Sequence, residues 1–342
     1  MDHNSFQDFA SKQISSASLQ LKALAEERTE AVRPLMHKVL TAFEQERLNV
    51  HHFSSLNGYA YGDEGRDTVD RIFARVLGAE KAAVRVQFVS GTHAIASALF
   101  GVLRPQDKLL SITGRPYETL QEVIGLRGNQ QGSLIDFGIS YEEIPLSDDG
   151  NVNLKALEKA LEIPRKMIFI QRSCGYSWRS SISISTIKQL CKKIHSIQPN
   201  IVCFVDNCYG EFVENKEPTE VGADLIAGSL LKNLGGTIAP AGGYVAGRSD
   251  LVEKACSRLT SPGIGSTGGS TFNLNRLLLQ GLFLAPQMVS EALIGADLIC
   301  STFSEIGFKV NPSLGMIRSD LIQAVQLNNQ DALKIVCRAF QS

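Results

Sequence analysis

The run IVCFV at residues 201–205 constrains this chain more than any other stretch. Uninterrupted apolar residues of this length, β-branched and aromatic ones among them, fit a strand buried on both faces. Such a strand needs a sheet covered by helices on either side, and the middle of the chain has the matching rhythm. AAVRVQFVS (82–90), DKLLSIT (107–113), SLIDFGISYEEIPL (133–146) and RKMIFIQRS (165–173) read as further strands, and DLIAGSLLKNLGG (224–236) and GGYVAGR (242–248) continue the series. Between them, SGTHA opens an apolar helix that runs to Leu103, and NLKALEKALE and ISTIKQLCKKIHSI have helical spacing. Strands alternating with helices predict an α/β domain built on a mostly parallel sheet.

The flanks read differently. Residues 5–48 are rich in helix formers, as in LQLKALAEERTEAV, and Thr68 to Leu77 is an amphipathic helix. FSSLNGYAYGDEGRDT between them reads as a loop, as does SPGIGSTGGS at 261–270. A long helix is expected from Asn273 to Val289, extended or restarted over 291–303. GFKVNPS and SDLIQAVQLN then read as short strands, and NQDALKIVCRAFQ as a closing helix. The expected organisation is an N-terminal helical segment and interface loop (1–66), a large domain (67–290) and the start of a small C-terminal α+β domain (291–342).

Composition excludes several function classes. A net charge of −1 over 342 residues leaves no electrostatic footprint for nucleic acid or an anionic membrane. No unbroken apolar run approaches the roughly 20 residues of a membrane helix. The N-terminus carries Asp2, Asp8, Glu26 and Glu27 without an apolar signal core, so a cytoplasmic protein is expected. The seven cysteines contain no CxxC pair and read as reduced thiols. His51 and His52 are adjacent, would diverge on a regular helix or strand, and are not expected to share a metal.

Four pieces carry the chemistry, and their order matters more than any one alone. Ser90-Gly91-Thr92-His93 lies at a strand–helix turn, where free N–H groups and the helix dipole favour a phosphate; a tight connection is the plainer reading. Tyr117 in GRPYET follows the second strand and could stack on an aromatic cofactor, though it is also a routine loop residue. Asp206 ends the strand IVCFVD, at the edge where open α/β sheets place ligands; capping the next turn is its commoner role. Lys232 in Ser229-Leu230-Leu231-Lys232, flanked by Leu231, Leu234 and a glycine pair, is expected to be partly buried. Burial disfavours its charge and is expected to lower its pKa, as an imine-forming amine requires. The Rossmann fingerprint is missing, because SGTHAIAS is not G-x-G-x-x-G and GIGSTGG has no strand before it.

Together these residues resemble the fold-type I enzymes dependent on pyridoxal 5'-phosphate (PLP). Within them the chain is similar to the cystathionine/methionine γ-lyase-like group and its aluminium-resistance branch. The marks are GYAYGDEGRD, VQFVSGTHAI, GRPYETL, IQRSCGYSWR, FVDNCYGEF and SLLKNLGGTIAPAGGYVAGR. The resemblance implies a PLP Schiff base on Lys232 and pairing of the pyridine nitrogen with Asp206. It implies ring stacking and proton delivery by Tyr117, and phosphate binding by Ser90, Gly91, Thr92 and Ser229. Tyr61 and Arg66 would reach a neighbouring subunit's phosphate, which makes a homodimer or homotetramer with shared sites the expected assembly. SPGIGSTGGS is a further candidate for closing over the partner's phosphate.

The implied activity is β- or γ-elimination from a sulfur-containing amino acid. An aldolase, decarboxylase or transferase on the same fold, or a PLP-binding protein with little turnover, remains open. Cys174 stands where the family pattern carries an arginine. The family's small domain extends further than residues 291–342, so that part is expected to be incomplete, with Arg318 and Arg338 as the available substitutes for a carboxylate-gripping arginine.

Overall fold

The computed structural model describes residues 3–54, 62–147 and 149–341. Helices α1 (His3–Gln20), α2 (Lys22–Gln45) and α3 (Glu64–Leu77) precede strand β1 (Lys81–Arg85). The alternating region follows as α4 (Gly91–Val102), β2 (Lys108–Ser111), α5 (Glu118–Ile124), β3 (Ser140–Glu143), α6 (Leu154–Ala160), β4 (Met167–Gln171), α7 (Ile184–Ile197), β5 (Val202–Asp206) and β6 (Leu225–Ser229). Strand β7 (Gly243–Gly247), α8 (Ser249–Leu259), α9 (Asn275–Glu305), β8 (Lys309–Asn311), β9 (Ala324–Gln326) and α10 (Gln330–Gln341) complete the chain.

The large sheet has the order β1-β7-β6-β5-β4-β2-β3. Only β7 runs against its neighbours, pairing antiparallel with both β1 and β6. Alternate residues of the central strands enter two different apolar layers, as the period of two requires. Ile168, Ile170, Cys203, Val205 and Ile226 join one layer with α3, α7 and α9. Met167, Phe169, Val202, Phe204, Leu225 and Ala227 join the other with α4 and α8. Phe169 and Phe204 meet edge-on, with ring centroids 5.7 Å apart. Each fully buried side chain of this size contributes about 1.5–3 kcal/mol by removal from water.

Local chemistry sets the helix starts. Asp63, Ser90, Asn153 and Ser183 each accept a hydrogen bond from the backbone N–H three residues on, opening α3, α4, α6 and α7. A cap of this kind is worth about 1 kcal/mol. Gly101 lets α4 and α8 touch: a Cβ there would lie 2.5 Å from the Lys254 carbonyl oxygen.

Several expectations need correction. Residues 5–48 form two helices, broken at Leu21, and Pro34 sits inside α2. The loop expected over 53–68 ends early, because α3 begins at Glu64. In SLIDFGISYEEIPL only Ser140–Glu143 is strand, at the sheet edge. Helix α9 runs unbroken from 275 to 305, so the division drawn at residue 290 falls inside a helix, as the one at 66 falls inside α3. By length and composition α9 could cross a membrane, yet half of its most apolar stretch is buried, and it packs on α2 and on the turn after Lys232. Strands β8 and β9 form a small separate sheet, and α10 buries none of its residues.

His51 and His52 do not diverge. They lie on the 3₁₀ turn Val50–Phe53, their ring centroids are 3.9 Å apart, and Glu64 stands beside both. His52 Nδ1 accepts the Asn49 N–H at 3.0 Å, which leaves its proton on Nε2. That is the reverse of the tautomer a metal-ligating Nε2 needs. All seven cysteines are unpaired, and only Cys337 is exposed.

Candidate active site

Strands β1, β2, β4, β5 and β6 point the same way, so the segments that follow them gather at one sheet edge. A cavity of about 400 Å³ opens there, lined by Thr92, Tyr117, Thr119, Gln171, Ser173, Tyr176, Asp206, Cys208, Tyr209, Lys232 and Ile322. A larger groove of about 640 Å³ lies along α6 and α7, but its charged pair, Lys193 and Glu158, is already joined at 2.6 Å. The smaller cavity holds the chemistry.

Asp206 ends β5 beside Gln171 of β4 and is 4% exposed. Its carboxylate accepts the Cys208 N–H at 3.1 Å. Burial pushes the carboxyl above its ordinary range, while the charge of Lys232 pulls it back. Gln171 in turn holds the entry to α5, where its Oε1 accepts the Tyr117 N–H at 3.2 Å. The Tyr117 hydroxyl lies 3.0 Å from Thr92 Oγ1. Burial, and secondarily the charge of Asp206, pushes the phenol far above its ordinary value, so it stays protonated.

Lys232 follows β6 on a turn fixed by close packing. Gly236 has φ +53°, and a Cβ there would lie 2.1 Å from the Gly281 carbonyl oxygen of α9. Leu230 and Leu234 are buried, but Leu231, expected to shield the lysine, is 57% exposed. The lysine is half-buried, as expected, yet its pKa moves up. Burial lowers it, and the surrounding acidic groups Cys208, Tyr209, Asp206 and Glu211 outweigh burial. Its Nζ sits 3.8 Å from the centroid of the Tyr209 ring.

At the start of α4, Ser90 uses its hydroxyl to cap His93 N–H. Gly91 packs so closely that a Cβ would lie 3.0 Å from Cys208 Sγ and 3.1 Å from Ser229 Cβ. Ser229 is buried and its Oγ accepts the Leu231 N–H at 3.1 Å. Of these phosphate candidates only Thr92 lines the cavity, with Gly91 and Ser229 buried behind it. The N–H groups at the start of α4 are of the kind that hold a phosphate, and Lys232, Asp206 and Tyr117 around the cavity are of the kind that hold PLP. Arg66 lies elsewhere on its own chain, at a separate small pocket with Gln87 and Asn275. It is 1% exposed, pairs with Asp67, and leaves Nη1 without a partner among the described residues. Tyr61 lies outside the described residues.

The two substitutes for a carboxylate-gripping arginine are engaged or remote. Arg318 donates from Nε to Asp297 Oδ1 at 2.6 Å and from Nη1 to the Ile322 carbonyl, and Arg338 is exposed on α10. The C-terminal segment reaches the site through Asp320, whose Oδ2 accepts Ser173 Oγ–H at 2.8 Å and Cys174 N–H at 2.9 Å. Burial and Asp320 push the Cys174 thiol up to about 12, so it is no ready nucleophile. Gln171, Cys208, Tyr209 and Ile322 went unassigned in the sequence. The first three lie in strand-end blocks whose position was the available signal.

The arrangement is that of an α/β fold-type I protein. The PLP-dependent protein YhfS of Escherichia coli shares this fold at 16% identity, with a TM-score of 0.65, over 93% of this chain and 80% of that one. The chain belongs to the methionine gamma-lyase family, whose model matches residues 10–342. It is 46% identical to the Bacillus subtilis protein YnbB, over 89% of this chain and 72% of that one. It also matches the crystal structure of a "carbon-sulfur lyase involved in aluminum resistance" from Clostridium novyi NT. The identity is 45% and the TM-score 0.94, over 100% of this chain and 84% of that one.

Proposed function

We propose that this chain is a PLP-dependent carbon–sulfur lyase that releases a thiol from a sulfur-containing amino acid by β- or γ-elimination. The observation that carries the reading is the convergence of Lys232, Asp206 and Tyr117 on one cavity beside the N-terminus of α4. Family membership supports a lyase, and the name of the Clostridium relative supports carbon–sulfur chemistry. Lys232 Nζ would hold the cofactor covalently, with its phosphate against the N–H groups of Gly91 and Thr92 and the Ser229 hydroxyl. When bound, PLP supplies an electron sink for negative charge at the substrate Cα.

The residues divide the remaining work. Asp206 would keep a proton on the pyridine nitrogen, since a buried carboxylate in a poor dielectric gains most from a cationic partner. Lys232, once its amine is free, moves the α-proton. Tyr117 carries its proton throughout the neutral range and delivers it to the departing sulfur. One water is consumed, and the net products are a thiol, a 2-oxo acid and ammonia. The family resemblance would have Tyr61 and Arg66 complete the phosphate site of a neighbouring subunit. For Arg66, buried and paired with Asp67, that role requires its side chain to leave its present pocket.

Separate assays of thiol, ammonia and 2-oxo acid from cysteine, cystathionine and methionine test the reading. Equal amounts of all three products from one substrate support it. Carbon dioxide or an aldehyde without thiol would replace it with decarboxylation or aldol cleavage.

A further inference from the structure

We propose that the ring of Tyr209 is the seat of the Lys232 ammonium in the cofactor-free chain. Tyr209 is then a positioning residue that keeps the amine in the cavity. The proposal deepens the reading of Lys232 as the cofactor-bonding amine and takes its functional meaning from it.

Two independent observations carry it. The first is the contact: Nζ stands 3.8 Å from the ring centroid, well inside the reach of about 6 Å for a cation over an aromatic face. Among the described residues no hydrogen bond or ion pair to Nζ accompanies that contact. The second is the backbone: Tyr209 has φ +68°, in the left-handed region that a bulky side chain seldom occupies. Such a conformation costs on the order of 1–3 kcal/mol and survives only where its surroundings enforce it.

Here they do. Asn207 accepts Arg172 Nη1–H at 2.8 Å and donates to Glu217 at 2.9 Å, and the Phe212 N–H donates to Glu217 at 3.0 Å. Gly210 closes the turn over Arg172, where a Cβ would lie 2.6 Å from the guanidinium. A buried network thus holds a strained aromatic under the one lysine that lines the cavity among the described residues. The physical consequence is a lysine kept charged and in place. The groups facing it are Asp206 from the end of β5, Cys208, Tyr209 and Glu211 from the turn beyond, and Tyr117 from across the cavity.

The test is a titration of Lys232 in the full chain freed of cofactor with hydroxylamine. Acylation of Lys232 by acetic anhydride is followed by peptide mass spectrometry as a function of pH. In Tyr209→Leu the ring face is gone, the midpoint falls, and acylation at a fixed pH below it speeds up about 2- to 30-fold. Tyr209→Phe keeps the ring and stays within about 2-fold of the parent, on the same cation–aromatic scale. A Tyr209→Leu profile that superposes on the parent's overturns the proposal, as does a Tyr209→Phe shift equal to that of Tyr209→Leu. If Tyr209→Leu does not fold, phenylalanines with increasing ring fluorination at position 209 replace it. A midpoint that falls stepwise with fluorination supports the seat, and a flat series overturns it. The titration needs no bound cofactor. Absence of PLP uptake by the parent would therefore remove the functional reading and leave the seat standing, and the two failures are distinct.

Discussion

The hydroxyl of Thr92 lies 3.0 Å from the phenol oxygen of Tyr117, joining the first turn of α4 to the start of α5. The contact ties the proposed phosphate corner to the proposed proton donor. Thr92 was expected only at the phosphate; its side chain faces the phenol instead. One neutral hydrogen bond is worth about 1 kcal/mol, so Thr92→Val should lower kcat for thiol release about 5-fold. Because the N–H of residue 92 is kept, cofactor retention should be unchanged, as equilibrium dialysis against PLP would report.

Tyr117→Phe removes the proton itself. Loss of a general acid typically costs 10²- to 10⁴-fold, and kcat should fall by about that amount while KM changes little. Steady-state kinetics with a substrate of low leaving-group pKa checks the assignment. An activated thiol needs less protonation, so the defect should shrink there.

Glu211 gives a pH dependence of stability. It is fully buried, and burial pushes its carboxyl from 4.5 up to about 8, against the hydrogen bond from the Tyr244 hydroxyl at 2.7 Å. Between those two values the unfolded chain has lost this proton while the folded chain keeps it. Stability from this group therefore falls as pH rises from 4.5 toward 8 and levels off above. Glu211→Gln, which is neutral at every pH, should gain on the parent across that window by on the order of a few kcal/mol. Urea denaturation at pH 5 and pH 8 tests this. A difference that stays constant between the two pH values would contradict the assignment.

Asp320 links the C-terminal segment to the cavity wall. Asp320→Ala would orphan the Ser173 hydroxyl and the N–H groups of Cys174 and Ile322. Buried donors left unpaired cost about 1–3 kcal/mol each. The expected outcome is a raised KM and faster proteolytic cutting between α9 and β9, with the sheet intact by circular dichroism.

The parts of this structure legible in the sequence are those fixed by local pattern. IVCFVD could only be a central strand, and Lys232 followed from its place after the next one. The rest depended on contacts between distant residues. Gly65 and Arg66 read as loop, yet they belong to α3, which Asp63 caps. The close approach of the His52 carbonyl, 2.6 Å from where a Cβ of Gly65 would lie, is a contact between segments that the local pattern does not show. Leu231 looked like a shield for Lys232 and faces solvent, while Leu230 and Leu234 on either side of it are buried. The direction of the Lys232 pKa could not be read because Asp206, Cys208 and Glu211 reach it only in the folded chain. Tyr209 was within a motif already singled out, but nothing local marks a left-handed tyrosine.

The most direct test of the account is the visible absorption of the purified chain and of Lys232→Ala, each supplied with PLP and then treated with borohydride. The account predicts a yellow parent whose chromophore borohydride fixes on the peptide carrying Lys232, and a Lys232→Ala chain from which the chromophore washes away. A parent that stays colourless with added PLP, or a label fixed on another lysine, would contradict it.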